Sequence, residues 1–358
     1  MSRLKELSAA GQSVWLDFIR RDIVVNGDLA ALIDDGVTGV TSNPSIFEQA
    51  IARSDLYDAA IAATHGSPLA VFENLAVDDV RGAADALRGV YDATDGADGY
   101  VSLEVSPALA DDADGTILDA ERLWSRVDRP NLMIKVPATD AGIVAVEELI
   151  ARGVNVNATL MFSLADYDAV ANAYVRGVER TAVPERVASV ASFFVSRVDS
   201  KVDAALEAIG TEAALALRGK AAVANAKLAY QRYLDVFEGP SFARGRERGA
   251  RPQRALWAST STKNPAYSDV LYVDALVGPN TVNTIPPATI DAFRDHGTVD
   301  PAALTTGVEA AEAHFAALAG IGVDMAAVTD ELQIEGVAAF ARAFDGLLEA
   351  IDAQMGVS

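Results

Sequence analysis

Short runs rich in β-branched and other apolar residues alternate along the chain with longer stretches whose apolar positions recur at helical spacing. The short runs predict eight strands, at residues 13–18, 37–41, 99–105, 131–136, 154–160, 187–194, 255–259 and 281–284. The stretches between them are long enough for helices, for example at residues 139–152, 165–180 and 200–238. Eight alternating units favour a (β/α)8 barrel of the TIM type. An open doubly wound sheet is the alternative, although the chain has neither a G-x-G-x-x-G motif nor a Walker loop.

Two regions depart from this alternation. Residues 239–254 are rich in Gly, Pro and Arg and predict a loop before the seventh strand. From Pro286 onward the spacing is helical, and an amphipathic run at residues 336–355 predicts additional C-terminal helices, from about residue 301, that cover the barrel. No linker-like segment divides the sequence, so we expect a single domain over residues 1–358.

Composition and charge exclude several classes of function. The 358 residues are 51% apolar and 22% charged, which suits a large buried core. Lys and Arg number 29 against 51 Asp and Glu, and the resulting net charge of −22 argues against binding to nucleic acid or to an anionic membrane. The N-terminal residues form no apolar signal core, and no window approaches the roughly 18 uninterrupted apolar residues of a membrane span. We therefore expect a soluble, cytoplasmic protein.

Metal chemistry has little support in the sequence. The chain has no cysteine, which excludes disulfides, thiolate catalysis and Cys-ligated zinc. His65, His296 and His314 are far apart and lack the His-x-x-x-His spacing of a metal site. Residues 112–115 partly match a calcium-binding loop, but Ala110 occupies the position of the first ligand, so we interpret them as a loop and the start of a helix. We expect neither a metal site nor a cofactor.

Polar side chains follow nearly every predicted strand, at the end where the chemistry of a barrel lies. They are Asp17, Ser42 and Asn43, Glu104, Lys135, Asn157 and Thr159, Ser192 and Arg197, and Ser259 and Lys263. Because the strands of a barrel are parallel, these side chains are expected around one rim. The sequence therefore predicts a polar site at the C-terminal ends of the strands.

Lys135 is the most informative of these residues, since it lies among Leu, Met, Ile, Val and Pro. Desolvation in such a run disfavours the charged ammonium and makes the neutral amine available as a nucleophile, as Schiff-base chemistry requires. The alternative is a lysine that extends to the barrel rim or pairs with Glu104. Asp17 and Glu104 are candidate proton carriers, because an unpaired buried carboxylate is costly. For either of them the alternative is a salt bridge with Lys135.

Neutral and cationic groups complete the candidate site. Asn43, Asn157, Thr159 and Ser192 could hold sugar hydroxyls, although each residue type is also common in turns and caps. Arg197 and Lys263 are candidate phosphate ligands, supported by the hydroxyls and backbone N–H groups of the run that begins at Ser259. The alternative for Arg197 is a surface ion pair with Asp199.

Four segments, at residues 39–47, 134–139, 155–163 and 192–197, resemble those of the transaldolase family. The resemblance runs from about Trp15 to Pro287. Residues 257–265 are similar to the branch of that family that is sometimes fused to a phosphoglucose isomerase. We expect no such partner in this chain, because its length leaves no room for one.

The resemblance implies a class I aldolase barrel, and we expect it to work without a cofactor, as a monomer or homodimer. It implies the transfer of a three-carbon dihydroxyacetone unit from fructose 6-phosphate or sedoheptulose 7-phosphate to an aldose phosphate, as in the pentose phosphate pathway. Lys135 would form the Schiff base and Asp17 would be the general base. In the same way Glu104 and Thr159 would hold the catalytic water, Ser42, Asn43, Asn157 and Ser192 would contact the sugar, Phe194 would line the pocket, and Arg197, Ser259 and Lys263 would hold phosphate.

Three other functions compete with this interpretation. Fructose-6-phosphate aldolase, a relative that releases free dihydroxyacetone, typically has Tyr at the position of Phe194 and Gln at the position of Glu104. A non-catalytic barrel that binds sugar phosphates would not need the amine of Lys135. A metal-dependent hydrolase would need histidines at the strand ends, and no histidine lies at a predicted strand end.

Overall fold

The computed structural model describes residues 2–356. Eight parallel strands follow one another around a closed barrel in chain order, and the eighth pairs with the first. The strands are β1 (Gln12–Leu16), β2 (Val37–Val40), β3 (Val101–Glu104), β4 (Leu132–Pro137), β5 (Val156–Met161), β6 (Ser189–Phe194), β7 (Arg254–Ala258) and β8 (Thr281–Ile285). The predicted (β/α)8 barrel is thus confirmed, and the open doubly wound sheet is excluded because the sheet has no free edge.

Helices surround the barrel and continue beyond it. They are α1 (Arg3–Ala9), α2 (Arg21–Val25), α3 (Asp28–Asp35), α4 (Pro44–Ala52), α5 (Asp58–Ala63), α6 (Pro68–Ala93), α7 (Ala113–Val127), α8 (Asp140–Ala151), α9 (Leu164–Arg180), α10 (Ser196–Ile209), α11 (Glu212–Leu215), α12 (Ala221–Phe237), α13 (Ala243–Glu247), α14 (Leu271–Ala275), α15 (Pro287–His296), α16 (Val308–Gly320) and α17 (Met325–Gly356), with 3-10 turns at Pro107–Leu109 and Pro240–Phe242. Several begin at a side-chain cap. Asp112 caps α7, as expected for the segment that partly matched a calcium loop.

A buried tryptophan fills the barrel interior below the strand ends. Trp15 is fully buried and lies across Gly39, where an added Cβ would stand 2.5 Å from the indole ring. The indole nitrogen donates to Asp98 at 2.8 Å, and Arg254 pairs with the same carboxylate at 3.4 Å. Glycine at position 39 is therefore a packing requirement. With this part of the interior occupied, open space remains at the C-terminal rim.

The arginine-rich segment is more ordered than the loop predicted for residues 239–254. It contains the turn Pro240–Phe242 and the helix α13. Arg246 donates to the carbonyls of Phe237 and Gly239. Arg248 donates to the carbonyls of Val178, Glu179 and Thr181. The sequence did not indicate this order, because the bonds join guanidinium groups to backbone carbonyls, many of them distant in the chain.

The C-terminal helices cover the barrel as predicted, and α17 crosses its mouth. Gln333 donates to the carbonyls of Ala138 and Leu160, at 2.9 and 3.4 Å, where β4 and β5 end. Lys201 on α10 pairs with Glu331 and Glu335 on α17 at 2.8 and 2.6 Å. Among residues 2–356 no single helix is long and apolar enough to cross a membrane, and only α16 and α17 taken together meet those criteria, with a bend of 92° between them.

Candidate active site

A cavity opens at the C-terminal rim of the barrel, under α17. Polar groups from most of the strand ends surround it, and a few apolar side chains complete its wall. The lining residues are Asp17, Thr41, Asn43, Ser45, Lys135, Thr159, Ser192, Phe194, Arg197, Leu256, Ala258, Ser259, Thr284 and Phe340. Most of the predicted site residues therefore meet in one place.

Lys135 lies at the centre of this group and is only 5% exposed. Its ammonium donates to the carbonyl of Ser42 at 3.0 Å and stands 3.3 Å from Glu104 Oε2. Phe340 of α17 faces it, with 5.7 Å between Nζ and the ring centroid. Of the two alternatives for Lys135, extension to solvent at the rim is wrong and pairing with Glu104 is confirmed. The paired amine still borders the cavity.

The pairing with Glu104 follows from strand register. Glu104, Lys135 and Asn157 are successive register partners on β3, β4 and β5, so their side chains emerge side by side inside the barrel. Burial raises the pKa of the Glu104 carboxyl, and the charge of Lys135 opposes that rise. Glu104 also borders a neighbouring, largely apolar cavity between α6 and α7.

Asp17 lies just beyond β1 on the other side of the cavity. Its backbone N–H donates to the carbonyl of Ile285, and Thr41 Oγ1 donates to its carboxylate at 2.9 Å. Burial raises the pKa of the Asp17 carboxyl, while Lys135, the Thr41 hydroxyl and Lys263 lower it. A partly buried carboxylate at the cavity wall, with a raised pKa and one side-chain hydrogen bond, is well suited to accept a proton.

At this site, two buried oxygen atoms form no hydrogen bond within residues 2–356, although one of them takes part in the ion pair with Lys135. They are Glu104 Oε2 and Thr159 Oγ1. Thr159 is fully buried on β5, two residues after Asn157. Because buried polar atoms are normally hydrogen-bonded, we expect each of these oxygens to form a hydrogen bond with a water molecule or with the substrate.

A hydrogen-bonded layer supports the cavity from below. Ser192 Oγ donates to Asn157 Oδ1 at 2.6 Å, and Asn157 Nδ2 donates to Ser102 Oγ at 3.0 Å. Ser42 Oγ donates to the carbonyl of Ser102 at 2.7 Å, and it is the Ser42 carbonyl that contacts Lys135. Ser192 borders the cavity, whereas Asn157 and Ser42 are completely buried behind it. These bonds fix the orientation of the Asn157 amide and of the three serine hydroxyls.

Asn43 begins α4 and borders the cavity from the second strand. Its side-chain oxygen accepts from the backbone N–H of Ile46 at 2.9 Å, and Pro44 occupies the first helical position. The capping bond uses the amide oxygen and leaves the amide nitrogen to donate. The residue is thus both a cap, as the alternative supposed, and a cavity residue.

Cationic groups gather at the opposite end of the cavity. Arg197 is the second residue of α10 and is partly buried, with its guanidinium 5.4 Å from the centroid of the Phe194 ring. No hydrogen bond or ion pair of its guanidinium is found among residues 2–356. Asp199, its expected alternative partner, instead accepts from the Ala222 N–H at 2.7 Å and from Tyr272 at 2.9 Å. The alternative prediction of a surface ion pair between Arg197 and Asp199 is therefore wrong, and the Arg197 guanidinium is available to bind an anion.

Ser259 and Lys263 follow β7 on the same side. Ser259 borders the cavity in a left-handed conformation (φ 57°), and its hydroxyl lies 2.9 Å from that of Ser196. Lys263 is exposed and bonds to Ser261 at 2.5 Å. Although the side chain as a whole is exposed, partial burial of its amine and then the charge of Arg197 lower the pKa of Lys263, while Asp17 raises it. Lys263 therefore stands at the rim, within electrostatic range of both groups.

Phe340, Thr41 and Thr284 border the cavity but were not predicted as site residues. Thr41 stood in a segment that the sequence marked as a strand end. Phe340 comes from the C-terminal helix, and the amphipathic pattern indicated that this helix covers the barrel without indicating which face meets the rim. Among residues 2–356, no three His, Asp or Glu side chains are grouped so that they could hold a metal ion.

Comparisons with known proteins agree with this geometry. The sequence model of the family described as Transaldolase/Fructose-6-phosphate aldolase matches residues 14–351. A protein of Frankia alni named Transaldolase is 50% identical over 363 residues, which span 99% of this chain and 98% of that protein. Proteins of the same name from Thiobacillus denitrificans and Mycolicibacterium smegmatis are 50% and 49% identical, each over 98% of this chain and over 100% and 97% of their own lengths. The chain belongs to the transaldolase/fructose-6-phosphate aldolase family.

Proposed function

We propose that this chain is a transaldolase that carries a three-carbon dihydroxyacetone unit as a Schiff base on Lys135. The observation that carries the proposal is the surroundings of Lys135, a buried amine with Glu104 at 3.3 Å in a cavity bordered by Asp17. The name shared by relatives of about half-identical sequence supports the same reaction. A barrel that only binds sugar phosphates would have no use for a nucleophile there.

The covalent step begins at the carbonyl carbon of a ketose phosphate. The Lys135 ammonium passes a proton to Glu104 and the neutral amine adds to C2; Glu104 then returns the proton to the former carbonyl oxygen, which leaves as water, and the iminium that remains is an electron sink. Asp17 takes the proton of the C4 hydroxyl, the C3–C4 bond breaks, and the electron pair moves into an enamine. An aldose phosphate then departs. The raised pKa of Asp17 supports its role, because a stronger base accepts the proton more readily.

Transfer completes the cycle. The enamine carbon attacks the aldehyde of a second aldose phosphate, and the new oxyanion recovers the proton from Asp17. Hydrolysis of the iminium then needs one held water molecule. Within the described residues Glu104 Oε2 and Thr159 Oγ1 form no hydrogen bond, which supports a role for both in binding that water.

The remaining side chains divide the substrate between its two ends. Asn43 and Ser192 are proposed to bind hydroxyls near C1 and C3, with Asn157 and Ser42 holding the layer beneath them. Arg197, Ser259 and Lys263 are proposed to bind phosphate. The guanidinium of Arg197 supports this role, because it is partly buried, is without an ion pair in the described part of the chain and is stacked on Phe194.

The alternative within the family is fructose-6-phosphate aldolase, which releases the three-carbon unit. Phe194 and Glu104 favour transfer, since that relative typically has Tyr and Gln there. The Phe194 ring packs against Phe162 at 5.1 Å and brings no hydroxyl into the cavity. We further propose that the enzyme acts on sugar phosphates in the cytoplasm as a single domain, without a cofactor, and as a monomer or homodimer.

The test is a two-substrate assay with fructose 6-phosphate and erythrose 4-phosphate. The expected products are sedoheptulose 7-phosphate and glyceraldehyde 3-phosphate in equal amounts, with little free dihydroxyacetone. Lys135→Met should abolish the reaction. Accumulation of dihydroxyacetone in place of the seven-carbon product would favour the aldolase, and turnover that survives in Lys135→Met would contradict the proposal.

A further inference from the structure

The helix α17 is fixed to the barrel mouth on both sides of the site. Gln333 bonds to the carbonyls at the ends of β4 and β5, and Glu331 and Glu335 pair with Lys201 of α10. Two turns beyond these contacts, Phe344 packs edge-on against Phe72 of α6 at 5.4 Å. Between these anchors lies one aromatic residue that points into the cavity.

That residue is Phe340, which is 4% exposed. Its ring centroid lies 5.7 Å from Lys135 Nζ, and it borders the cavity together with Asp17 and Thr159. One turn earlier, Gly336 allows the helix to approach closely, since a Cβ there would stand 3.1 Å from Leu160 and 3.8 Å from the Arg197 guanidinium. The fit of α17 thus brings an apolar ring directly over the reactive nitrogen.

We propose that Phe340 determines the outcome of the reaction, favouring transfer over release by excluding bulk water from the covalent intermediate. The inference rests on the Schiff base of the proposed function. The residue assigned here is on the C-terminal helix, whereas all the residues used in the mechanism above come from strand ends and the loops that follow them.

The intermediate has two possible fates, and water decides between them. In transfer, the enamine carbon C3 forms a bond to the acceptor aldehyde. In release, C3 takes a proton from water instead, which gives the iminium of dihydroxyacetone. Water then adds to C2, the C2–N bond breaks, and free dihydroxyacetone and the Lys135 amine result. Both routes are redox-neutral, and only release needs a proton donor at C3.

An apolar ring over the nitrogen opposes the second route without stopping normal turnover. Phenylalanine offers no hydrogen bond to water, so the face of the enamine under α17 stays dry. The same ring attracts the positive iminium and ammonium forms through its π face. Hydrolysis of the ketose product needs only the single water proposed at Glu104 and Thr159, below the ring.

The test compares two variants of Phe340 with a control on the same helix. Phe340→Ala removes the ring that covers the Lys135 amine. Phe340→Leu keeps part of the apolar cover and is less disruptive to the packing of α17. Phe344→Ala removes an aromatic ring one turn later, which packs against Phe72 and borders the neighbouring cavity between α6 and α7 but not the cavity that holds Lys135. With fructose 6-phosphate and erythrose 4-phosphate, the quantity measured is the ratio of free dihydroxyacetone to sedoheptulose 7-phosphate.

We expect this ratio to rise by about tenfold or more in Phe340→Ala, to rise less in Phe340→Leu, and to stay at the wild-type value in Phe344→Ala. A ratio that stays within about twofold of wild type in both Phe340 variants would overturn the inference. An equal rise in Phe344→Ala would overturn it too, because general loosening of α17 would then explain the effect. Borohydride trapping in the same preparations separates the two proposals, since a Lys135 adduct with an unchanged ratio contradicts only the role of Phe340.

Discussion

Individual residues at this rim differ in how burial and neighbouring charges change their affinity for protons. Asp17 and Glu104 are both buried carboxyls with raised pKa values, and Lys135 opposes the rise for each. Their other contacts differ. Thr41 donates a hydrogen bond to Asp17, whereas the one polar contact of Glu104 Oε2 within residues 2–356 is its ion pair with the lysine. The two carboxyls are therefore suited to different steps, Asp17 to the substrate hydroxyl and Glu104 to a held water.

The first prediction concerns Asp17→Asn, which keeps size and hydrogen bonding but removes the base. C–C cleavage should fall by about 10²–10⁴, the usual contribution of a positioned base. Formation of the Schiff base should be affected much less, because the amine is unchanged. Single-turnover measurements of aldose phosphate release, compared with adduct formation, check this, and Glu104→Gln is the comparison variant. Near-normal cleavage in Asp17→Asn would transfer the role of base to Glu104.

The second prediction separates substrate class from chemistry. Arg197→Ala should reduce kcat/KM for a phosphorylated acceptor by on the order of 2–4 kcal/mol, since it removes a charge-assisted contact in a partly desolvated site. Unphosphorylated glyceraldehyde should lose little, because it never makes that contact. The measurement is the ratio of the two kcat/KM values. Arg186→Ala is the control, because that arginine is exposed and precedes β6 at the other end of the barrel.

Equal losses for both acceptors in Arg197→Ala would contradict this assignment. Arg197 would then support the fold or the Schiff base, and the search for the phosphate site would begin at Lys263.

Among the secondary-structure elements, α10 connects the phosphate end of the site to the segment that follows β7. Asp199 and Asp203, one turn apart on α10, accept hydrogen bonds from Tyr272 and Tyr267 at 2.9 and 2.6 Å. The same carboxylates accept from backbone N–H groups that precede and begin α12, at Gly219 and Ala222. This helix thus fixes the position of the segment after β7, which carries Ser259 and Lys263.

The third prediction follows from the burial of Asp199, which raises its pKa from the ordinary 3.8 to about 6 despite the bonds from Ala222 and Tyr272. A raised folded-state pKa gives stability that is full below about pH 4 and is lost as pH rises through about 6. At about 1.4 kcal/mol per pKa unit, this loss is roughly 3 kcal/mol. Asp199→Asn cannot ionise, so it should lack this decline.

Urea unfolding of both proteins between about pH 4.5 and 7.5 checks the prediction. The unfolding free energy of the wild-type protein, measured relative to that of Asp199→Asn, should decrease across that range. A difference that does not depend on pH would show that Asp199 keeps its ordinary pKa when folded.

For the whole molecule, the fold was predictable from sequence because the same unit, a short apolar strand run followed by a longer helical stretch, recurs eight times. The strand runs, such as those containing Lys135 and Thr159, are too apolar and too short to be surface helices, and their alternation with helical stretches allows few architectures. The rim site followed from this architecture, since parallel strands in a barrel bring their C-terminal ends together.

What the sequence could not provide was orientation. The contact between Glu104 and Lys135 depends on strand register, which arises only when the barrel closes. Ser42 contacts the lysine through its carbonyl, and no sequence pattern distinguishes that from a contact through its hydroxyl. Phe340 is one apolar position on a long amphipathic helix, and only the crossing of α17 over the mouth turns that position toward the amine.

The whole molecule also sets the electrostatic background of the site. The net charge of −22 repels an anionic sugar phosphate, so the proposed binding requires local cations, for which Arg197, Lys263 and Lys135 are the candidates. The proposed function therefore has two requirements at one rim, a cationic end for phosphate and a buried amine for the carbonyl carbon.

Trapping the covalent intermediate tests the Schiff base on Lys135 without relying on any other assignment. The purified protein is incubated with fructose 6-phosphate and borohydride, and intact mass is followed by peptide mapping. We expect a stable adduct of the reduced three-carbon unit on Lys135 and none in Lys135→Arg, which keeps the positive charge but cannot form the imine under these conditions. Absence of an adduct in the wild-type protein, or an adduct that maps to another lysine, would contradict it.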